Sequence, residues 1–327
     1  MSQNNERPMR GRFAPTPSGE LHIGNAWTAL LSWLQIRSAS GTFVLRLEDI
    51  DTQRSKPQLA EQILDDLYWL GLDWDEGPDV GGPFGPYIQS KCMEYYEEAL
   101  KQLESKGNLY SCFCSRSDVL AAVRAPHGLS SEGLAYPGTC RHLTAEEAAC
   151  KSQDKEPSLR FKVHHEPLSF FDGAAGKQEF DAASGGDFIV RRADGMISYQ
   201  LAVVVDDHRM QITDILRGVD LLDSVPRQLQ LYIALGMEAP SFSHVPLFMG
   251  PDGKRLAKRH GGTSLAAIRK AGTAPERLIG WLMWIGGFIA KPEPLSAQEC
   301  ISLFRMNKLP SEPIIVTDQT LSRLRER

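Results

Sequence analysis

Apolar and polar positions follow two rhythms along the chain. Residues 10–14 read as a short strand ending in a Pro/Ser/Gly turn. From about Asn25 to Ser38, Trp27, Leu30, Leu31 and Leu34 recur at helical spacing, and Gly41 lies just past the end. Thr42–Leu47 is β-branched and apolar, as in a parallel strand buried on both faces. Pro57–Leu70 reads as a second helix with Gly71 as its stop. Strand, helix, strand, helix predicts the start of a doubly wound α/β sheet.

Farther along, Asp79–Tyr87 is a Gly/Pro-rich loop, and a third helix spans about Ser90–Lys106. From Leu109 to about Glu156 the periodicity breaks down and cysteines gather, which predicts an insertion. Phe188–Arg192 and Met196–Val205 read as strands joined through an Ala-Asp-Gly turn. Ile212–Leu216 is a further strand, and a helix over Val225–Leu235 ends at Gly236. The last third is mostly helical, around Ser264–Lys270 and Pro275–Ile285. The expected division is residues 1–108 as the first half of the sheet domain, 109–186 as the insertion, 187–250 as the second half, and 251–327 as a basic loop with a helical subdomain.

Composition adds bounds. The 327 residues are 42% hydrophobic and 24% charged, ordinary for a globular protein of two or three domains. No run of eighteen apolar residues predicts a membrane span. The stretch MSQNNERPMRGRF has no secretory core and reads as a short leader, so the expected location is the cytoplasm. A net charge of −5 does not by itself suggest a nucleic-acid partner, although a local patch is enough. The densest patch is Lys254-Arg255-Leu256-Ala257-Lys258-Arg259-His260. Six cysteines in a chain of this kind do not predict a disulfide framework.

Candidate chemistry begins at His22-Ile-Gly-Asn25, between the first strand and the first helix. A helix start presents backbone N–H groups and partial positive charge to phosphate. Gly24 would let a nucleotide approach the backbone, and His22 can donate to a phosphoryl oxygen. On that triplet alone, a surface histidine in a turn is the better reading, and the neighbouring residues change that weighting. Glu48 follows the second strand, where open α/β sheets bind ligands, and can pair with an ammonium. Arg12 and Arg217 can fork onto carboxylates. Two arginines and one acid suit glutamate. The alternative for Arg46, Glu48, Asp49 and Asp51 is a surface ion-pair cluster at a strand end, preferred over a metal site for the last two. Cys112-Phe-Cys114 and Cys140 offer three thiolates for zinc, against buried free thiols, with His127 and His142 competing as a fourth donor. Cys92, Cys150 and Cys300 have no ligand spacing and read as packing residues.

Together these motifs resemble a known family. Pro15-x-Pro-Ser-Gly-x-Leu-His22-Ile-Gly24 is similar to the HIGH motif of class I aminoacyl-tRNA synthetases, in the form of the glutamyl/glutaminyl branch. Leu45-Arg-Leu-Glu-Asp-Ile-Asp51, Tyr199-Gln-Leu-Ala-Val-Val-Val-Asp-Asp207 and Leu216-Arg-Gly-Val-Asp220 continue the pattern. The basic loop stands where that family carries KMSKS, which puts Lys258 in the place of the catalytic lysine and Ala257 in that of the usual serine. The pattern Cys112-x-Cys114 with Tyr136-x-x-x-Cys140 resembles the glutamyl-queuosine tRNA(Asp) synthetases.

The resemblance implies a Rossmann-like doubly wound parallel sheet with a zinc-bearing insertion, a helical C-terminal part and no anticodon-binding domain. It assigns Arg12, Phe13, Ala14, Pro15, Thr16, Glu48, Tyr199 and Arg217 to glutamate, and His22, Gly24, Asn25 and Lys258 to ATP and catalysis. Cys112, Cys114, Tyr136 and Cys140 would hold a structural Zn²⁺, and Mg²⁺ would accompany ATP. The implied reaction activates L-glutamate with ATP and transfers it to queuosine in tRNA(Asp). Only about seventy residues follow the basic loop, which favours this reading over a synthetase that charges a tRNA 3′ end. A catalytically silent tRNA-binding paralogue and another HxGH nucleotidyltransferase are the remaining alternatives. Nothing in the sequence demands a dimer.

Overall fold

The computed structural model describes residues 8–122, 136–164, 166–181, 185–256 and 263–325. The first part runs β1 (Arg10–Phe13), α1 (Ile23–Ser38), β2 (Thr42–Leu45), α2 (Pro57–Trp69) and α3 (Met93–Ser105). The middle holds β3 (Leu109–Cys112), α4 (Arg116–Ala122), α5 (Ala145–Ser152), β4 (Ser158–Phe161), β5 (Leu168–Asp172), β6 (Gly176–Phe180) and β7 (Phe188–Arg191). Then come α6 (Tyr199–Arg209), β8 (Asp214–Gly218), α7 (Val225–Leu235), β9 (Ser241–Val245) and β10 (Phe248–Met249). The chain continues through α8 (Leu265–Lys270), α9 (Pro275–Ile285), α10 (Ala297–Leu303), β11 (Ile314–Ile315) and α11 (Asp318–Arg325).

Six strands form the main sheet in the order β2-β1-β8-β9-β5-β6. Neighbours pair in parallel, except for the antiparallel hairpin β5–β6. Alternation along β2 explains why Phe43, Val44 and Leu45 are apolar in succession. Phe43 and Leu45 enter a core with α1, α2, α8, α9 and α10, while Val44 enters a second core with α3, α6 and α7. Side chains on successive strand positions point to opposite faces, so a sheet covered on both sides needs both parities apolar. β1 lies between β2 and β8, so the winding reverses direction there. Open α/β sheets bind ligands beyond the carboxyl ends of the strands at such a switch point.

Three expectations are corrected. Met196–Val205 is not a strand: Tyr199–Arg209 is helix α6, with the Ser198 hydroxyl accepting from the Leu201 N–H. Leu201 to Val205 are all buried, and a helix apolar on every side carries no helical period that separates it from a strand. Next, the expected boundary at residue 186 does not follow the sheets. β5 and β6 lie within 109–186 yet extend the main sheet, whereas β7 lies beyond it and pairs with β4 in a small antiparallel sheet, β3-β4-β7. Finally, Cys150 is exposed, so it is not a packing residue, while Cys92 and Cys300 are buried as expected. Of the basic loop, Lys254 to Leu256 are described; Ala257, Lys258, Arg259 and His260 lie outside the described residues.

Candidate active site

A cleft of about 470 Å³ opens where β1, β2 and β8 end. It is lined by Arg12, Phe13, Ala14, Pro15, Thr16, His22, Gly24, Asn25, Glu48, Tyr199 and Arg217. Eleven residues singled out in sequence, spread over more than two hundred positions, thus share one cavity, of a size typical for small-ligand sites. Lys258, the remaining one assigned to this site, lies outside the described residues.

His22 is the N-cap of α1. Its Nδ1 accepts from the backbone N–H of Gly24 at 3.0 Å and of Asn25 at 3.3 Å, and Asn25 Oδ1 accepts from the His22 N–H at 3.1 Å. The expectation of free N–H groups at this helix start is therefore corrected: the imidazole caps two of them. An Nδ1 that accepts leaves the ring proton of a neutral imidazole on Nε2. The role of Gly24 changes too. A Cβ there would stand 2.9 Å from His22 Cε1 and 3.0 Å from Nδ1, so glycine makes room for the capping ring.

Beneath the cleft lies a network of buried charge. Arg12 sets Nε and Nη2 against the two oxygens of Asp207, at 3.1 and 3.3 Å. Arg46 reaches Asp207 at 2.7 Å, Glu48 at 3.1 Å and Asp206 at 3.8 Å. The surface-cluster alternative for Arg46 and Glu48 does not hold, because Arg46 is fully buried and Glu48 nearly so. Asp49 accepts instead from the Ser90 N–H and hydroxyl, and Asp51 pairs with Arg54. Burial pushes the Glu48 carboxyl up, with Arg46 and Arg12 opposing it. Burial acts the same way on Asp207, but Arg12 and Arg46 outweigh it and hold Asp207 below the ordinary carboxylate range. Burial raises the Tyr199 phenol, with Arg217 opposing.

Arg217, at the end of β8, has a divided guanidinium. Nε donates to His244 Nε2 at 2.9 Å, and Nη2 donates to Gln228 Oε1 at 2.8 Å and to the Leu221 carbonyl at 3.3 Å. Nη1 is buried with no hydrogen-bond partner among the described residues. A buried cationic N–H without an acceptor is costly, and a carboxylate would satisfy it. Burial lowers the Arg217 pKa, and the charge of Arg12 adds to that effect. Next to it, Arg255 of the basic loop pairs with Asp220 at 2.6 Å. Sequence reasoning assigned no role to Asp207, His244 or Asp220. The acidic pair Asp206-Asp207 closing an apolar run was a visible signal; no comparable signal marked His244.

Apart from the cleft, Cys112, Cys114 and Cys140 bring their sulfurs within 4.8 Å of one another. Tyr136 Oη lies 3.4 Å from Cys112 Sγ and 3.5 Å from Cys114 Sγ, and Cys114 and Cys140 Sγ are 3.7 Å apart. Tetrahedral zinc sets two thiolates about 3.8 Å apart, and a thiolate and a phenolate oxygen about 3.5 Å apart. The donor set and spacing therefore suit zinc. His142 is exposed and outside the cluster, and His127 lies outside the described residues.

Comparison with known proteins bears on the whole chain. Residues 8–323 match the family described as tRNA synthetases class I (E and Q), catalytic domain. The chain is 58% identical over 315 residues to a glutamyl-Q tRNA(Asp) synthetase of Symbiobacterium thermophilum, covering 96% of this chain and 98% of that one. It is 44% identical over 320 residues to the enzyme of the same name in Nitratidesulfovibrio vulgaris, covering 97% and 98%. Among solved structures, a glutamate-tRNA synthetase from Elizabethkingia anophelis superposes with a TM-score of 0.84 at 30% identity, covering 97% of this chain and 70% of that one.

Proposed function

The chain belongs to the class I tRNA synthetases of the glutamate and glutamine branch, and from that membership we propose that it activates L-glutamate with ATP and transfers it to the queuosine base of tRNA(Asp). The observation that carries the proposal is that Arg12, Glu48, His22 and Arg217 line one cleft, with Arg217 Nη1 buried and without an acceptor among the described residues. The Arg217 fork receives a glutamate carboxylate, Glu48 faces the ammonium, and Arg12 adds positive charge from beside Asp207.

In the first step a carboxylate oxygen of glutamate bonds to the α-phosphorus of ATP, and the bond to pyrophosphate breaks. Most of the acceleration comes from positioning and from charge aimed at the phosphoryl oxygens. His22, with its ring proton on Nε2, donates to those oxygens, while Lys258 neutralises the departing pyrophosphate. Mg²⁺ bound with ATP would supply further charge neutralisation at the phosphates. In the second step a hydroxyl of the queuosine cyclopentenediol attacks the adenylate carbonyl and AMP leaves. The adenylate phosphate accepts the hydroxyl proton. Queuosine as acceptor is supported by the two relatives named glutamyl-Q tRNA(Asp) synthetase, which align over almost their full length. Cys112, Cys114, Tyr136 and Cys140 would hold zinc, which would tie together a segment with little core of its own.

Transfer of labelled glutamate to tRNA(Asp) with and without queuosine tests this reading. Labelling is expected only on the queuosine-containing tRNA. Queuosine-independent labelling of the 3′ end would instead make the chain an ordinary glutamyl-tRNA synthetase.

A further inference from the structure

Behind Arg217, away from the cleft, lies a relay of two buried side chains. Arg217 on β8 sits directly across from His244 on β9 in the parallel register, and Asp172 ends the next strand, β5. His244 Nδ1 is 2.5 Å from Asp172 Oδ2, and both side chains are fully buried. From these contacts we infer that Asp172 and His244 are positioning residues, which hold the Arg217 guanidinium in the orientation that receives a glutamate carboxylate. The inference rests on the reading of the cleft as a glutamate site.

Proton placement is the core of the argument. An arginine guanidinium stays protonated, so Arg217 Nε can only donate, and His244 Nε2 must present a lone pair. The imidazole must then carry its proton on Nδ1, facing Asp172. Asp172 enforces this choice. Its Oδ1 accepts from the backbone N–H groups of Ala174, Ala175 and His244, at 3.0, 2.8 and 3.0 Å. That triple contact locks the carboxylate and turns Oδ2 to Nδ1 as an acceptor. Burial disfavours the imidazolium, and Arg217 and Arg12 add to that effect while Asp172 opposes it. Nη2 is held independently by Gln228, which in turn donates to Gln200 Oε1. With Nε and Nη2 held in this way, Nη1 is the nitrogen of the guanidinium that has no acceptor among the described residues.

The test is glutamate-dependent ATP–pyrophosphate exchange by the full chain, with separate Michaelis constants for glutamate and ATP. His244→Phe keeps a ring that can lie over Phe242 and removes both nitrogens. It should raise KM for glutamate about tenfold or more and leave KM for ATP within about twofold. His244→Gln sets a carbonyl toward Arg217 and an amide N–H toward Asp172, and should return KM for glutamate to within about threefold of wild type. Asp172→Asn is the sharper variant. The three backbone donors demand its carbonyl oxygen at the Oδ1 position, so its NH2 faces Nδ1 and the imidazole takes the other tautomer. Nε2–H then meets Nε–H of Arg217, and KM for glutamate rises as in His244→Phe.

Nitrogen-15 NMR of histidine-labelled protein reads the tautomer without turnover. The wild type should carry the His244 proton on Nδ1, and Asp172→Asn should carry it on Nε2. A folded His244→Phe variant with unchanged KM for glutamate, or a wild-type proton on Nε2, overturns the inference. If His244→Phe does not fold, loss of glutamate affinity in His244→Gln overturns it and retention supports it. A wild-type chain without glutamate exchange would defeat the reading of the cleft instead, and the tautomer would still decide the relay.

Discussion

At the scale of single residues, the motif around His22 works differently from a plain phosphate-binding helix start. The imidazole caps α1 through Nδ1 and, when neutral, carries its ring proton on Nε2. Gly24 is the space for that ring. Gly24→Ala therefore adds a good helix former and yet should impair the site, because its Cβ would stand within 3.0 Å of the imidazole. Displacing a charge-stabilising group by a fraction of an ångström should lower the ATP–pyrophosphate exchange rate on the order of 10- to 100-fold. Circular dichroism should show an unchanged fold, and an exchange rate near wild type would contradict this account of Gly24. The types and spacing of Arg12, His22, Glu48 and Arg217 were legible in sequence because each carries chemistry that few other side chains supply. Their second partners were not, since Asp207 and His244 act through contacts between strands and helices distant in the chain.

At the scale of elements, α6 is the instructive case. The same apolar run Leu201–Val205 that hides its helical period buries Asp206 and Asp207 against the ends of β1 and β2. Asp207 holds two arginines at once: Arg12 in the cleft wall, and Arg46, which in turn holds Glu48. Asp207→Asn keeps the volume and removes the charge between them. Breaking a buried pair from one side strands the partner charges, which typically costs about 3–5 kcal/mol. Denaturant unfolding should show a loss of this order, and a loss below about 1 kcal/mol would mean that solvent or a neighbouring acid takes over the arginines.

Across the whole molecule, the main sheet and the small sheet β3-β4-β7 are stabilised in different ways. Two apolar clusters flank the main sheet, whereas the cysteine end of the small sheet has a cluster built around Cys112, Phe113, Tyr136 and Cys140. Metal is expected to replace core there. Metal analysis should find about one zinc per chain, and Cys140→Ser should abolish it. After chelation, limited proteolysis should cut first between Cys112 and Phe161, with the main sheet still protected. Resistance to cleavage after complete zinc loss would show that the thiols pack well enough without metal.

The local code determined much of this protein. Apolar period, proline starts and glycine stops marked α1, α2, α7 and α9, and motif order along the chain marked the cleft residues, because both depend on neighbours in sequence. The tertiary structure decided what depends on pairing across long separations. It placed β5 and β6 in the main sheet and β7 in the small one, and made a helix of an apolar run that could have been a strand. It also decided the state of the opening motif and of Arg217. Which nitrogen of His22 carries a proton, and which nitrogens of Arg217 are held by the protein, follow from partners that only the folded chain brings within hydrogen-bond distance.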